Sequence, residues 1–400
     1  ESISDHSVDT DYLLRLIELQ NRINASHHRL VAGHHGLGRA RYGVAVAGGS
    51  VATWAGAFPH NPFQAPVVID MTGDAAQLSA GLIEGHLEET AELVRLQRLA
   101  QLEVERPDGA EWKREALGNL RWQDLSAEEL AICPPLVLIG SDELLAGQGL
   151  SQLIWLLNSG LPVKVLVLSA LDFGLVDGTG NPRGSLGLLA LAQRNAYVAQ
   201  TSIANSAHLG ESMLQALDHE GPALIQAYAP SPERHGFVPR ESLRMAELAV
   251  ASRALPLFRY DPNAEGVFGS RISLDGNPDD EHALTLTDWA QEQDRFAHCF
   301  EAPGDGEEQH RVASARLVEA SNECLANWQT LQELAGIVTP FTEQLEQEIR
   351  ANVAAEHQAE IDELKQASAA EIREIQEKTQ AEIASKIRSR LLQLASRKRD

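Results

Sequence analysis

The chain has 400 residues, 44% of them hydrophobic, and carries a formal net charge of -24. This length and apolar content allow two or three domains with a sizeable core. The acidic balance excludes an ordinary nucleic-acid-binding protein and disfavours an anionic membrane surface, because both partners recruit basic side chains.

The cysteine pattern restricts the chemistry further. Cys133, Cys299 and Cys324 lie far apart and form no CxxC pair, which excludes a disulfide scaffold and a local zinc site built from cysteines alone. A four-thiolate iron–sulfur cluster cannot be built from this chain alone. The cytosol is therefore the expected compartment. No apolar run is long enough to span a bilayer.

The first hundred residues read as two helices separated by a segment of small residues. Apolar side chains recur near helical spacing in residues 1–30 and again in residues 74–105, which predicts an N-terminal helix and a long second helix. Residues 31–70 are rich in glycine and contain one short strand candidate, Val67–Ile69.

Strands and helices alternate through the middle of the chain. An apolar run at Leu136–Ile139, a helix at 149–158 and a second apolar run at Val163–Leu168 form one β-α-β unit. Further strands are expected near 197–201 and 223–227, with helices between them. The alternation predicts an α/β fold with a doubly wound, mostly parallel sheet.

The ends of these strands are where a site is expected, because open parallel sheets bind ligands at their carboxyl edge. Asp142 follows the first strand of the unit, and Asp172 follows the second. The glycine-rich loop after Asp172 contains Gly178, Thr179 and Gly180. This loop is either a phosphate cradle of backbone amides or an ordinary surface loop.

The last third of the chain changes character twice. Residues 229–300 contain several prolines and predict an extended wrap over the sheet, and residues 306–340 contain a helix. The tail, 341–400, has no glycine, and its Ala-Glu-Ile triplets repeat every 11 residues. An 11-residue period is typical of a straight or slightly right-handed coiled coil. The tail therefore forms a homo-oligomer or docks on other subunits, or it is one long helix lying on its own body.

Residues 136–173 resemble the thiamine-diphosphate-binding domain of the pyruvate:ferredoxin (flavodoxin) oxidoreductase family. In that family a Gly-Asp-Gly turn after one strand and a polar turn after the next complete a magnesium site that holds the cofactor's diphosphate. The segments 48–63, 221–237 and 254–262 also resemble parts of this domain. The resemblance covers roughly residues 30–265.

The resemblance implies a set of site residues. Those for thiamine diphosphate are Gly140, Ser141 and Asp142 at the first turn. If the glycine-rich loop is a phosphate cradle, Gly178, Thr179 and Gly180 join them. Those for magnesium are Asp142, Ser169 and Asp172. If the cofactor is bound, His60 and Asn61 would contact the substrate as the catalytic pair; otherwise they are turn residues.

The chain also departs from the family pattern. Ala170 stands where a side-chain oxygen is expected, and Glu143 adds a negative charge beside the diphosphate position. His34 and His35 stand where the family has a Cys-x-x-Cys turn, so the proximal iron–sulfur cluster is expected to be absent. The group that activates the cofactor comes from a pyrimidine-binding partner domain in this family.

Two functions remain open at this point. In the first, the chain is the cofactor-domain portion of a divergent 2-oxoacid:ferredoxin or flavodoxin oxidoreductase that decarboxylates a 2-oxoacid such as pyruvate. Alternatively, it is a cofactor-free scaffold domain of a larger oxidoreductase-like complex, since a fold can outlive its chemistry. The expected domains are an N-terminal helix (1–30), the α/β domain (31–300), a helical connector (301–340) and the coiled-coil tail (341–400).

Overall fold

A computed structural model describes most of the chain, which divides into two compact units, Glu1–Ile337 and Val338–Asp400. The described ranges are 10–33, 35–56, 62–63, 65–105, 110–176, 185–279, 284–301, 312–338 and 340–396. Within these ranges, no helix is both long enough and apolar enough to cross a lipid bilayer.

The first unit is built on one eight-stranded sheet. Its strands are β1 (Gly43–Val46), β2 (Val67–Ile69), β3 (Leu136–Ser141), β4 (Val163–Ser169), β5 (Tyr197–Thr201), β6 (Ala223–Tyr228), β7 (Phe258–Tyr260) and β8 (Ile272–Ser273). Their order across the sheet is β2-β1-β3-β4-β6-β5-β7-β8. The first six strands in this order are parallel, and β7 and β8 join antiparallel at one edge. The predicted α/β, mostly parallel sheet is confirmed.

Helices cover both faces of this sheet. Those of the first unit are α1 (Thr10–Val31), α2 (Ser50–Ala55), α3 (Ala75–Glu105), α4 (Ala110–Gly118), α5 (Ala127–Leu130), α6 (Leu150–Asn158), α7 (Leu186–Gln193), α8 (Ser206–Asp218), α9 (Pro232–His235), α10 (Ser242–Ala251), α11 (Leu286–Gln291) and α12 (Ala315–Leu334). On one face α3, α6 and α7 pack on the apolar side chains of β3 and β4. On the other face α2 and α8 pack on β1, β5 and β6. This two-sided burial explains why the central strands are almost uninterrupted apolar runs.

The segment 229–300 is more regular than its prolines predict. It contains α10 and α11, and its β7 strand extends the sheet, with Val198 of β5 opposite Tyr260. The prolines lie outside these elements or at their first positions, where a missing N–H removes no ladder bond. The predicted extended wrap is therefore wrong for this part. The strand β1 was also missed, because it is four residues long and lies in a glycine-rich stretch.

A second core cluster lies in the C-terminal third of this unit. It joins α10, α11 and α12 to the turn that follows β4, and its largest buried members are Trp289, Tyr228 and Phe296. A short pair of antiparallel strands, β9 (Phe300–Glu301) and β10 (Val312–Ala313), precedes α12. This cluster brings residues near 295 next to residues near 170.

The second unit is one helix, α13 (Pro340–Ser396), 57 residues long. The predicted long C-terminal helix is confirmed. Its described side chains from 345 to 392 are exposed.

Candidate functional site

The carboxyl ends of β3, β4 and β6 meet at one point of the sheet edge. Asp142 directly follows β3, Ser169 is the last residue of β4, and it pairs with Tyr228 at the end of β6. The Ser169 hydroxyl donates a hydrogen bond to Oδ2 of Asp142 at 2.7 Å. The structure thus brings together two of the residues that the sequence predicted as metal ligands.

The carboxylate of Asp142 is held by three donors from its own chain. Besides Ser169, the backbone N–H of Ala170 donates to Oδ2 and the N–H of Glu143 donates to Oδ1, both at 2.9 Å. Asp142 as a whole residue is 7% exposed. A carboxylate has about four acceptor positions, so three of them are satisfied internally. Asp142 also begins a π-helical turn, Glu143–Gln148, a rare geometry that is frequent at functional sites.

Asp172 lies in a buried ion pair with two arginines. Its Oδ1 accepts from Nη1 of Arg295 at 2.6 Å, and its Oδ2 accepts from Nη2 of Arg234 at 2.8 Å. The side chains of Asp172 and Arg295 are 0% and 3% exposed. Burial lowers the pKa of Arg295 to about 10, so the guanidinium stays charged at neutral pH.

Arg295 also donates a hydrogen bond to a backbone carbonyl oxygen of the same turn, that of Ala170. Its Nη1 donates to the carbonyl of Ala170 at 2.7 Å. One guanidinium nitrogen therefore contacts two oxygens of this turn, Ala170 O and Asp172 Oδ1. Aromatic rings line the remaining side, since the guanidinium carbon lies 4.4 Å from the ring centre of Phe296 and 5.3 Å from that of Trp289.

The turn itself has an unusual backbone. Leu171 and Phe173 have φ angles of 57° and 53°, in the left-handed region that non-glycine residues seldom adopt. Such residues cost about 1–3 kcal/mol each and persist where packing over-determines them. The ring of Phe173 packs edge-on against Trp289 at 6.2 Å. The turn is therefore locked by the second core cluster.

A small cavity lies beside Asp142 and Ser169. The centres of water molecules can occupy a volume of about 70 Å³ in this cavity, which is enough for a few waters. Its lining includes Gln226 of β6, Arg253 just after α10 and Cys324 of α12. Burial raises the pKa of Cys324 to about 12, so this side chain is a neutral thiol at physiological pH.

Gly140 has a packing reason to be glycine. A methyl group at this position would lie 2.7 Å from Cδ1 of Leu145 and 2.9 Å from Cβ of Ala47. Next to it, the hydroxyl of Ser141 accepts from the N–H of Leu144 at 3.4 Å. Neighbouring residues thus fill the space around the turn that follows β3.

We expect Gly140→Ala to destabilise the first unit by about 1–3 kcal/mol, the usual cost of an extra methyl group in a full core. Chemical unfolding of the full chain measures this. Gly81→Ala is the matched control, since a methyl group there meets nothing within 4 Å; an equal effect at both positions would refute the packing explanation.

Comparison with known proteins gives relatives of one kind. No protein-family model matches the chain. The chain is 27% identical to the pyruvate-flavodoxin oxidoreductase of Rhodospirillum rubrum over 289 residues, 66% of this chain and 23% of that protein. It is 33% identical to the pyruvate:ferredoxin oxidoreductase of Moorella thermoacetica over 144 residues, covering 31% and 12%. It is 30% identical to pyruvate synthase subunit PorB of Methanosarcina barkeri over 135 residues, covering 33% and 43%.

The chain is a distant homologue of the pyruvate:ferredoxin and pyruvate:flavodoxin oxidoreductases. It spans less than half of the length of each of these three relatives. Among solved structures, 2-oxoglutarate:ferredoxin oxidoreductase from Magnetococcus marinus matches with a TM-score of 0.28 and 14% identity, over 54% of this chain and 62% of that one.

Several predicted residues of this oxidoreductase homologue lie outside the described part of the chain. These are the predicted catalytic pair, His60 and Asn61, and the loop residues Gly178, Thr179 and Gly180. Within the described ranges, no group of three or more His, Cys, Asp or Glu side chains is placed to hold a metal ion. Asp142, Ser169 and Asp172 remain the predicted ligands, with the contacts given above.

Sequence reasoning missed Arg295 and Arg234 altogether. Arg295 lies 123 residues beyond Asp172 in the chain, and Arg234 lies 62 residues beyond it. No local motif marks either arginine, because the pairing depends on how residues 229–300 fold back onto the sheet. A long-range signal such as a buried-charge requirement at Asp172 would have been needed to find them.

Proposed function

We propose that this chain is a cofactor-free scaffold domain of a larger oxidoreductase-like assembly, derived from the thiamine-diphosphate domain of the 2-oxoacid oxidoreductases. The observation that carries the proposal is the position of Arg295. Its guanidinium donates to Oδ1 of Asp172, one of the predicted magnesium ligands, and to the backbone oxygen of Ala170 in the same turn.

The charges of the turn do not fit a divalent cation. Magnesium takes near-octahedral oxygen ligands at about 2.0–2.1 Å, and Asp172 instead pairs with two guanidinium groups. A second cation at this point would be repelled by Arg295 at short range in a poorly solvated environment. Asp142 keeps at most one or two acceptor positions beyond its three internal hydrogen bonds.

The second candidate is an active cofactor domain, which the similarity to pyruvate oxidoreductases over 66% of the chain favours. In that case Asp142 and Ser169 would hold magnesium, and the bound cofactor would supply the decarboxylation chemistry for a 2-oxoacid such as pyruvate. A pyrimidine-binding partner domain and an electron acceptor would be needed as well. The turn at Asp172 would have to release Arg295 before it could contribute a ligand.

Calorimetric titration with magnesium and thiamine diphosphate separates the two candidates when the full chain is titrated both alone and with a pyrimidine-binding partner domain added. We expect no saturable heat up to about 1 mM cofactor, a Kd limit that corresponds to about 4 kcal/mol of binding free energy. Saturable binding that Asp142→Ala abolishes would overturn the scaffold proposal and support the active domain. Saturable binding that Asp142→Ala leaves unchanged would overturn both the scaffold proposal and the assignment of Asp142 as a ligand.

A further inference from the structure

The helix α13 carries a narrow apolar stripe with an 11-residue repeat. The stripe residues are between 46% and 66% exposed, and they are Val353, Ile361, Leu364, Ile372, Ile375 and Ile383. A third series on the same face, which we call the 11-residue line, has small or polar side chains at His357, Ser368 and Thr379. Eleven residues make three turns at about 3.67 residues each, so these positions stay on one face of a nearly straight helix. One exposed apolar face of this length needs a partner.

The charge of this helix changes sign along its length. Residues 343–377 contain ten Asp or Glu and three Lys or Arg, whereas residues 378–400 contain seven Lys or Arg and two Asp or Glu. Two copies side by side in the same direction would place acidic next to acidic and basic next to basic. Two copies in opposite directions place each acidic part beside a basic part, which is the favourable arrangement.

We infer that two copies of this chain pair through α13 as an antiparallel coiled coil with its two-fold axis at Ser368. The helix runs from Pro340 to Ser396, so residue 368 is its midpoint and this register overlaps the entire helix. At about 1.5 Å per residue the overlap is about 85 Å long. Registers shifted by one 11-residue repeat keep the apolar pattern but leave part of each helix without a partner.

The facing layers follow from equal distance to Ser368. Leu364 of one copy faces Ile372 of the other, Ile361 faces Ile375, and Val353 faces Ile383, so every apolar position of the stripe meets an apolar position. Layers of facing apolar side chains such as these stabilise coiled coils. The polar positions also meet one another, with His357 opposite Thr379.

The outermost layer on the 11-residue line decides between the two directions. Glu346 and Arg390 both lie 22 residues from Ser368, so the antiparallel pair places Glu346 of one copy opposite Arg390 of the other. A parallel pair in register would place Glu346 opposite Glu346 and Arg390 opposite Arg390. Within its own helix Glu346 lies 3.6 Å from Arg350 in a pair that is 68% and 81% exposed, which is too exposed to compete strongly.

This inference concerns the second unit and is independent of the proposed function. Cofactor titration tests the first unit, and the association of α13 tests the second. Either can fail without the other.

Disulfide cross-linking of the full chain tests direction and register together. The background is Cys133→Ser, because Cys133 is partly exposed while Cys299 and Cys324 are buried. We expect His357→Cys alone and Thr379→Cys alone to give no covalent dimer under mild oxidation, and an equal mixture of the two to give one. A covalent dimer from His357→Cys alone would overturn the antiparallel direction. A full chain that is monomeric by light scattering, or a mixture that does not cross-link, would overturn the proposal.

Charge exchange gives an independent readout. Glu346→Arg should weaken dimerisation about three- to tenfold, because two attractive pairs across the dimer become repulsive. The exchange variant Glu346→Arg/Arg390→Glu should restore the parent dissociation constant. Failure of the exchange variant to recover affinity would contradict the facing of these two residues, and Glu382→Arg, off the contact line, is the control.

Discussion

Replacing Arg295 with methionine should lower the free energy of unfolding by about 3–5 kcal/mol, the usual cost of removing one partner of a buried ion pair. Asp172 would lose its contact with Arg295 and keep the one with Arg234, in a site where its own side chain is 0% exposed. The carbonyl of Ala170 would lose its 2.7 Å hydrogen bond from Arg295 as well. Methionine replaces the apolar arginine stem with a side chain of similar volume, so the change mainly removes the charge and its hydrogen bonds. Urea unfolding followed by tryptophan fluorescence measures the loss.

Two further variants show which interaction carries the effect. Arg234→Met removes the second partner of Asp172, but the Arg234 side chain is 39% exposed, so we expect a cost of about 1 kcal/mol or less. Asp172→Asn combined with Arg295→Met should recover part of the loss, because the buried carboxylate that has lost one of its two guanidinium partners is then also removed. A cost below about 1 kcal/mol for Arg295→Met would show that this arginine does not hold the turn, and the main support for a scaffold role would disappear.

Acid should destabilise the first unit through two buried histidines. Burial, reinforced by nearby Arg295 and Arg234, lowers the pKa of His235 to about 3. Burial is also the main reason that the pKa of His208 falls to about 4. Both rings are neutral in the folded chain, where Nδ1 of His235 accepts from the N–H of Ser231 at 3.3 Å and Nδ1 of His208 lies 3.0 Å from the hydroxyl of Thr201.

The direction of this pH dependence follows from proton linkage. Between the ordinary histidine pKa of about 6.5 and these lowered values, the unfolded chain binds more protons than the folded one. The stabilisation is complete above about pH 6.5 and is lost as the pH falls toward the folded-state values. Each histidine then contributes a slope of about 1.4 kcal/mol per pH unit in that window.

Substitution of the histidines isolates their share of the slope. We expect His235→Gln and His208→Gln each to remove about one proton from the linkage between pH 6 and pH 4, measured as the change in unfolding free energy with pH. His27→Gln, at an exposed position of α1, is the control and should leave the slope unchanged. An unchanged slope in His235→Gln would show that this ring is not buried as a neutral base.

Much of the fold was predictable because its signals are local. The strands Val163–Ser169 and Ala223–Tyr228 are apolar runs buried on both faces, and Ser206–Asp218 has the spacing of a helix packed on one side. The exceptions lie where local signals are weak. The strand Gly43–Val46 is short and set among glycines, and Phe258–Tyr260 became a strand only because the antiparallel edge beside β5 was available to it.

The sequence by itself determined the position of the candidate site and the pattern of the tail. The proximity of Asp142 and Ser169 is predictable because both lie at strand ends, and parallel strands bring their carboxyl ends to one edge of the sheet. The 11-residue stripe of α13 is predictable because it depends only on helical geometry. What occupies the turn after β4 was decided by tertiary structure alone. Arg295 reaches Asp172 across 123 residues of chain, and a buried carboxylate takes whichever cation the completed fold places within hydrogen-bonding distance.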